Sequence, residues 1–205
     1  MPWEGCRIVP MVVIDQADEI SRVVDALRGG GIFVVEVALR TTDALEAIAI
    51  AARLGDVTVA AGTVTRAEQV RHAVDAGASF GLGPTSVSSV MEETLAARWP
   101  FIPAISTVTE ANVALERGFR FQKLYPANLL GGEKFARAVG AVLPEISLLP
   151  SGGVSETNAA TYLAEPNIFA VTGSWIAPRE LIAAGDFEEI TRRAARASEI
   201  AKAYG

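Results

Sequence analysis

Short apolar runs recur along the chain, and each is followed by a stretch in which apolar residues return at helical spacing. Residues 7–14 read as a first strand. Pro10 lies inside it without an N–H for the ladder, which points to a bulge or a locally unpaired position. Residues 20–28 carry the amphipathic spacing of a helix and stop at Gly29-Gly30-Gly31. Residues 33–39 and the alanine-rich 43–54 repeat the unit, with Thr41, Thr42 or Asp43 available as the cap. The same alternation predicts strands at 58–61, 80–82, 101–105, 121–124, 147–149 and 168–171. Helices are predicted at 66–76, 88–97, 109–117, 133–142, 156–164 and 187–203.

Eight strand-then-helix units, with strands that are short, continuous and apolar on both faces, indicate a parallel sheet covered by helices. A closed (β/α)₈ TIM barrel, an α/β fold in a single domain over residues 1–205, accommodates that count if the connections are short. The alternative is a doubly wound open sheet. It lacks local support for dinucleotide binding, because no Gly-x-Gly-x-x-Gly follows the first strand.

Composition narrows the function. With 50% hydrophobic and 20% charged residues the chain can bury one sizeable core. A net charge of −6 without a lysine- and arginine-rich run argues against nucleic acid or an anionic membrane as partner, so an anionic substrate must be bound by local groups. Residues 1–13 show no secretory leader, and the apolar runs fall short of the roughly 18 residues of a membrane span. A cytoplasmic protein is the expectation. A single cysteine, Cys6, reads as a small apolar residue near a strand start, and the single histidine, His72, falls on a polar helix. Neither a zinc site nor a histidine-relayed triad is expected, and metal-dependent carbonyl chemistry loses ground.

The candidate chemistry sits at the strand ends. Of the three lysines, Lys134 and Lys202 read as solvated charges, whereas Lys123 lies in the apolar run Phe121-Gln122-Lys123-Leu124. An ordinary ammonium is neutral in only about one molecule in 2,500 at pH 7, but burial or a neighbouring cation can make a lysine a nucleophile toward ketones. The other use of such a residue is a strand-end lysine whose stem packs while its head reaches water. Glu36 stands between Val35 and Val37, a setting that is costly for a carboxylate unless it is paired or protonated. It is a candidate proton shuttle, and Arg40 could clamp a carboxylate bidentately. Glu36 could equally form an ion pair with Lys123 or with Arg40 that only neutralises buried charge. Ser151-Gly152-Gly153 and Gly173-Ser174 follow the last two strands, where barrels often bind phosphate, and the helix after Gly153 is expected to add its N-terminal dipole. Tight turn geometry alone would also explain these glycines.

The segments Val35-Glu36-Val37-Ala38-Leu39-Arg40-Thr41, Ala61-Gly62-Thr63-Val64, Phe121-Gln122-Lys123-Leu124-Tyr125-Pro126-Ala127, Ser151-Gly152-Gly153-Val154 and Gly173-Ser174-Trp175 together resemble the 2-keto-3-deoxy-6-phosphogluconate aldolase family, which includes 4-hydroxy-2-oxoglutarate aldolases. The resemblance covers nearly the whole chain. It implies a class I aldolase, independent of metal or organic cofactor, on a (β/α)₈ barrel that is usually a homotrimer. It also implies Lys123 as the Schiff-base lysine and Glu36 as the acid/base. By the same resemblance Arg40, Thr63 and Pro84 hold the pyruvyl part of a 2-keto acid, and Gly152, Gly153 and Ser174 its phosphate end. The chain departs from the common pattern at Thr85, Asn128, Ser151 and Thr172, where glycine, glutamate, threonine and glycine respectively are frequent. A phosphosugar isomerase and a non-catalytic phosphosugar-binding barrel are the competing readings.

Overall fold

The computed structural model describes residues 1–204. The strands are Ile8–Val12 (β1), Val34–Ala38 (β2), Thr58–Gly62 (β3), Phe80–Leu82 (β4), Phe101–Ile102 (β5), Ala104–Ile105 (β6), Phe121–Leu124 (β7), Ser147–Pro150 (β8) and Val171–Gly173 (β9). The helices are Glu19–Gly29 (α1), Ala44–Leu54 (α2), Ala67–Asp75 (α3), Ser88–Ala96 (α4), Val108–Glu116 (α5), Glu133–Val142 (α6), Ala159–Leu163 (α7), Arg179–Ala184 (α8) and Phe187–Lys202 (α9), with a 3₁₀ turn at Ala127–Leu130.

All strand pairs are parallel, in the orders β5-β4-β3-β2-β1-β9 and β6-β7-β8. The two sheets form one ring. Pro103 interrupts a single stave into β5 and β6, and a bridge between Leu148 and Ile168 carries β8 across to the approach of β9. The result is an eight-stave (β/α)₈ barrel. The predicted strand at 168–171 is shifted, because Ile168 makes only that bridge and the paired segment begins at Val171. Pro10 resolves as a change of partner: β1 pairs with β9 through Pro10 and with β2 only from Met11 onward. A missing N–H is tolerated there because one neighbour takes over from the other.

The helices bury the stripe that the spacing predicts. In α2 the buried residues are Ala44, Ala47, Ile48 and Ala51, one face at i, i+3, i+4 and i+7, and Gly55 ends the helix in the left-handed conformation. At the end of α1, a side chain on Gly30 would meet Ala194 at 2.4 Å, so glycine is what lets α9 cross this close. Helix α7 begins later than predicted. Asn158 accepts from the Ser155 N–H and donates to the Gly153 carbonyl, which holds residues 153–158 in a side-chain-closed loop in place of a first helical turn. The short α8 between Pro178 and Gly185 was not predicted, nor was the 3₁₀ turn after β7.

At the N-terminal mouth of the barrel, Trp3 is buried edge-on against Phe80 and Phe121, and Phe121 packs edge-on against Phe169. This aromatic plug leaves the opposite mouth for polar side chains. There Arg179 makes a two-pronged bond to Asp15 at 2.6 and 2.5 Å, tying the loop after β1 to the segment after β9. That hydrogen bond, and then the guanidinium charge, hold the Asp15 carboxyl below the usual carboxylate range. Burial pushes the Cys6 thiol above its ordinary value, as expected of a cysteine used for packing. His72 lies exposed on α3. No helix among the described residues is long and apolar enough to cross a membrane.

Candidate active site

Strand alternation aims the key side chains. In β7, Gln122 turns outward, where its amide donates to the carbonyls of Ala111 and Phe119 beneath α5. Lys123, one residue on, must point into the barrel. In β2 the same logic sends Val35 and Val37 to one face and Glu36 to the other, and all five residues of the strand are buried. Inward-pointing Lys123 and Glu36 meet, with Nζ 3.0 Å from Oε1. Lys123 is 5% exposed and Glu36 1%. The pairing with Lys123 is therefore the one that forms. Arg40 is exposed at the rim, and its Nε donates to the Thr63 hydroxyl at 3.2 Å.

Room for the carboxylate comes from Gly62 on the adjacent strand. A Cβ there would lie 2.4 Å from Oε1 and 2.7 Å from Cγ of Glu36, so the glutamate lies directly across the glycine. Its second oxygen, Oε2, accepts a 2.8 Å hydrogen bond from Thr172, a fully buried residue of β9. Neither Gly62 nor Thr172 was among the expected site residues. Thr63 has φ +61°, a conformation that costs a β-branched residue on the order of 1–3 kcal/mol. The strain brings its hydroxyl to the Arg40 side chain.

Lys123, Glu36, Arg40, Thr63, Pro84, Ser151, Gly152, Gly153, Gly173 and Ser174, the ten residues expected at the site, all line one cavity of about 210 Å³. Met11, Tyr125 and Val154 complete its wall. A cavity of about 430 Å³ at the other mouth, beside Arg7 and Phe33, is larger but lacks a buried ion pair. Chemistry, more than size, singles out the smaller one.

The glycine turns are built by contact with the loop after β7. Gly152 and Gly153 have φ +88° and +81°, and a Cβ on Gly153 would lie 2.4 Å from that of Asn128. The Ala127 and Asn128 N–H groups donate to the carbonyls of Ser151 and Gly152. The N–H groups of Gly152, Gly153 and Ser174 donate to no protein acceptor among the described residues. The expected helix dipole is absent from this turn, since α7 starts only at Ala159 and is five residues long. An anion here would rely on backbone donors and the Ser174 hydroxyl. Among the described residues no group of three or more His, Cys, Asp or Glu side chains converges.

A parallel (β/α)₈ barrel with a buried lysine–carboxylate pair at its C-terminal mouth, walled by a left-handed glycine pair, has the equipment of an enzyme that acts on carbonyl compounds through an amine. The family model for KDPG and KHG aldolases matches residues 3–193, and the chain belongs to that family. It is 38% identical to a 2-dehydro-3-deoxy-phosphogluconate aldolase of Pseudoalteromonas atlantica over 93% of this chain and 89% of the relative. It is 35% identical to the KHG/KDPG aldolase of Escherichia coli over 95% of this chain and 92% of that protein. Among solved structures, the KDPG aldolase of Legionella pneumophila, with pyruvate captured at low pH as a covalent carbinolamine intermediate, superposes with a TM-score of 0.92 at 31% identity and 95% coverage of both chains.

Proposed function

We propose that the protein is a class I aldolase that cleaves a 2-keto-3-deoxy-6-phospho sugar acid, of the 6-phosphogluconate type, to pyruvate and glyceraldehyde 3-phosphate. The observation that carries the proposal is the 3.0 Å contact between two almost fully buried groups, Lys123 and Glu36, at the base of the cavity. Glu36 takes a proton from Lys123, and the free amine attacks the C2 ketone to give a carbinolamine. Glu36 returns the proton to the leaving hydroxyl, water departs, and a protonated imine remains. Glu36, now a carboxylate again, takes the C4 hydroxyl proton as the C3–C4 bond breaks. The bonding electrons flow to the imine nitrogen, which yields an enamine and the aldehyde. Reprotonation of C3 by Glu36 and hydrolysis release pyruvate and restore the amine. The iminium is the electron sink, so each step needs only groups of the chain, substrate and water. Arg40, with Thr63 as its partner, and Pro84 receive the pyruvyl carboxylate end. In this reading the whole of residues 1–205 works as one barrel domain, in a cytoplasmic homotrimer.

Borohydride reduction in the presence of pyruvate is expected to attach a pyruvyl group to Lys123, located by peptide mass mapping. An adduct on Lys134 or Lys202, or none, would refute the assignment. A phosphosugar isomerase or a binding barrel would give no adduct.

The phosphate is placed between Gly152-Gly153 and Gly173-Ser174. Charge-assisted hydrogen bonds contribute about 1.5–3 kcal/mol each, which favours the phosphorylated substrate. Ser174→Asp tests the placement, because Ser174 is exposed in the cavity wall, whereas any side chain at Gly153 would collide with Asn128. Losing one such bond and adding repulsion should cut kcat/KM for the phosphorylated acid by at least about tenfold, with a smaller loss for its dephosphorylated counterpart. Pyruvate trapping at Lys123 should persist. Equal losses for both substrates, or no phosphate preference in the unaltered protein, would move the substrate to 4-hydroxy-2-oxoglutarate, whose distal group is a carboxylate.

A further inference from the structure

We propose that Thr172 is a positioning residue that decides which oxygen of Glu36 carries the proton. Thr172 is fully buried, and its hydroxyl makes one hydrogen bond among the described residues, 2.8 Å to Oε2 of Glu36. A hydroxyl has a single proton to donate, and this one is committed to Oε2. Oε1 is left facing Nζ of Lys123 at 3.0 Å. When Glu36 takes up a proton, the hydrogen bond that Oε2 already accepts draws down the basicity of that oxygen, so the proton favours Oε1 and points at the lysine nitrogen and whatever is bonded to it. The β-branched side chain allows few χ1 positions, and Thr172 is held in register opposite Val9, so the donor is fixed by the closure of β9 on β1. Gly62 supports the opposite side of the carboxylate, and a Cβ there would lie 2.9 Å from Cδ. The carboxylate is thus held from three strands, and its rotation about the last bond would break the contacts to both Lys123 and Thr172.

The inference rests on the acid/base reading of Glu36, and the experiment separates the two. Thr172→Val keeps the shape and removes the donor, and Thr172→Ser keeps the donor. Two rates are followed: kcat for cleavage, and exchange of the pyruvate methyl protons in D₂O by NMR. The second reaction needs the Lys123 imine and a base to remove a C3 proton as the enamine forms, but no phosphate contact. A mispositioned base forfeits part of the usual 10²–10⁴-fold contribution, so Thr172→Val should lower kcat and methyl exchange together by about tenfold, with KM changed by less than about threefold. Thr172→Ser should recover most of both rates. A valine protein with unaltered rates, a loss confined to KM, or a serine protein as impaired as the valine one would overturn the inference. Glu36→Gln is run alongside. If it fails to slow methyl exchange, the acid/base reading falls and takes the inference with it; if it does and Thr172→Val does not, only the role of Thr172 falls. Should the valine protein not fold, Thr172→Cys, of similar size and a weaker donor, is expected to lie between serine and valine, and rates equal to those of Thr172 would overturn the proposal.

Discussion

Lys123→Ala is expected to remove cleavage almost completely, with kcat/KM down by at least about 10⁴-fold, because loss of a covalent nucleophile leaves only binding and orientation. Pyruvate release, followed through a coupled lactate dehydrogenase reaction, measures it, and borohydride should then trap no pyruvyl adduct. The substitution has a second consequence. Glu36, 1% exposed in the unaltered protein, would be left with Thr172 as its one hydrogen-bond partner in the site, and breaking a buried pair by deleting one member costs about 3–5 kcal/mol. At about 2–4 °C per kcal/mol for a chain of this size, the unfolding midpoint should fall by on the order of 10 °C. Lys123→Arg separates stability from chemistry, since the guanidinium keeps a cation beside Glu36 but forms no imine under these conditions. It should be as inactive as the alanine protein and closer to the unaltered one in unfolding midpoint. Substantial cleavage by either variant would exclude Lys123 as the nucleophile.

Glu36→Gln should lower kcat by at least about 10²-fold, the usual scale of general acid/base catalysis. The change preserves length and leaves one accepting oxygen, so Gly62 still accommodates the side chain and Thr172 still finds an acceptor, while an NH2 donor takes the place of the other oxygen. What disappears is the carboxylate 3.0 Å from Nζ, the group to which the proposed route assigns the proton transfers of imine formation. Imine formation should slow along with cleavage, so the rate of borohydride trapping with pyruvate should fall even where prolonged incubation still gives the adduct on Lys123. Unchanged kcat would show that Glu36 only neutralises the lysine. Chelators should leave the activity of the unaltered protein intact, and inactivation reversed by a divalent ion would falsify the metal-independent route.

The amino-acid sequence by itself determined the barrel's alternation and the polar residues that face its interior. Both follow from local rules. Parallel strands buried on two faces are short apolar runs, helices bury one residue in three or four, and a charged residue inside such a run is visible without any knowledge of contacts. Lys123 and Glu36 stood out for that reason, and the glycine turns stood out because they follow strands. Local rules also misplaced the start of α7, where the Asn158 side chain replaces the first helical turn with bonds to Ser155 and Gly153. The short α8 had its own signals, Pro178 before it and Gly185 after it, but six residues are too few to show a period.

Only the tertiary structure decided which inward side chain meets which. Whether Glu36 pairs with Lys123 or with Arg40 depends on the closure of the ring, which brings residues 87 positions apart to within a hydrogen bond. Arg40 is four residues from Glu36 in sequence, yet it is turned to the rim by the loop after β2 and engages Thr63. The bond from Thr172, 136 positions from Glu36, likewise exists because β9 closes on β1, and in the sequence its donor stands out only as a departure from the common family pattern, with no sign of its partner. Gly62 reads in sequence as a strand-end glycine, and only the packed barrel shows that the absence of its side chain is what makes space for the carboxylate. Periodicity records the direction of a side chain from its own strand; distance across the barrel is set by the register of all eight staves together, and no single segment contains it.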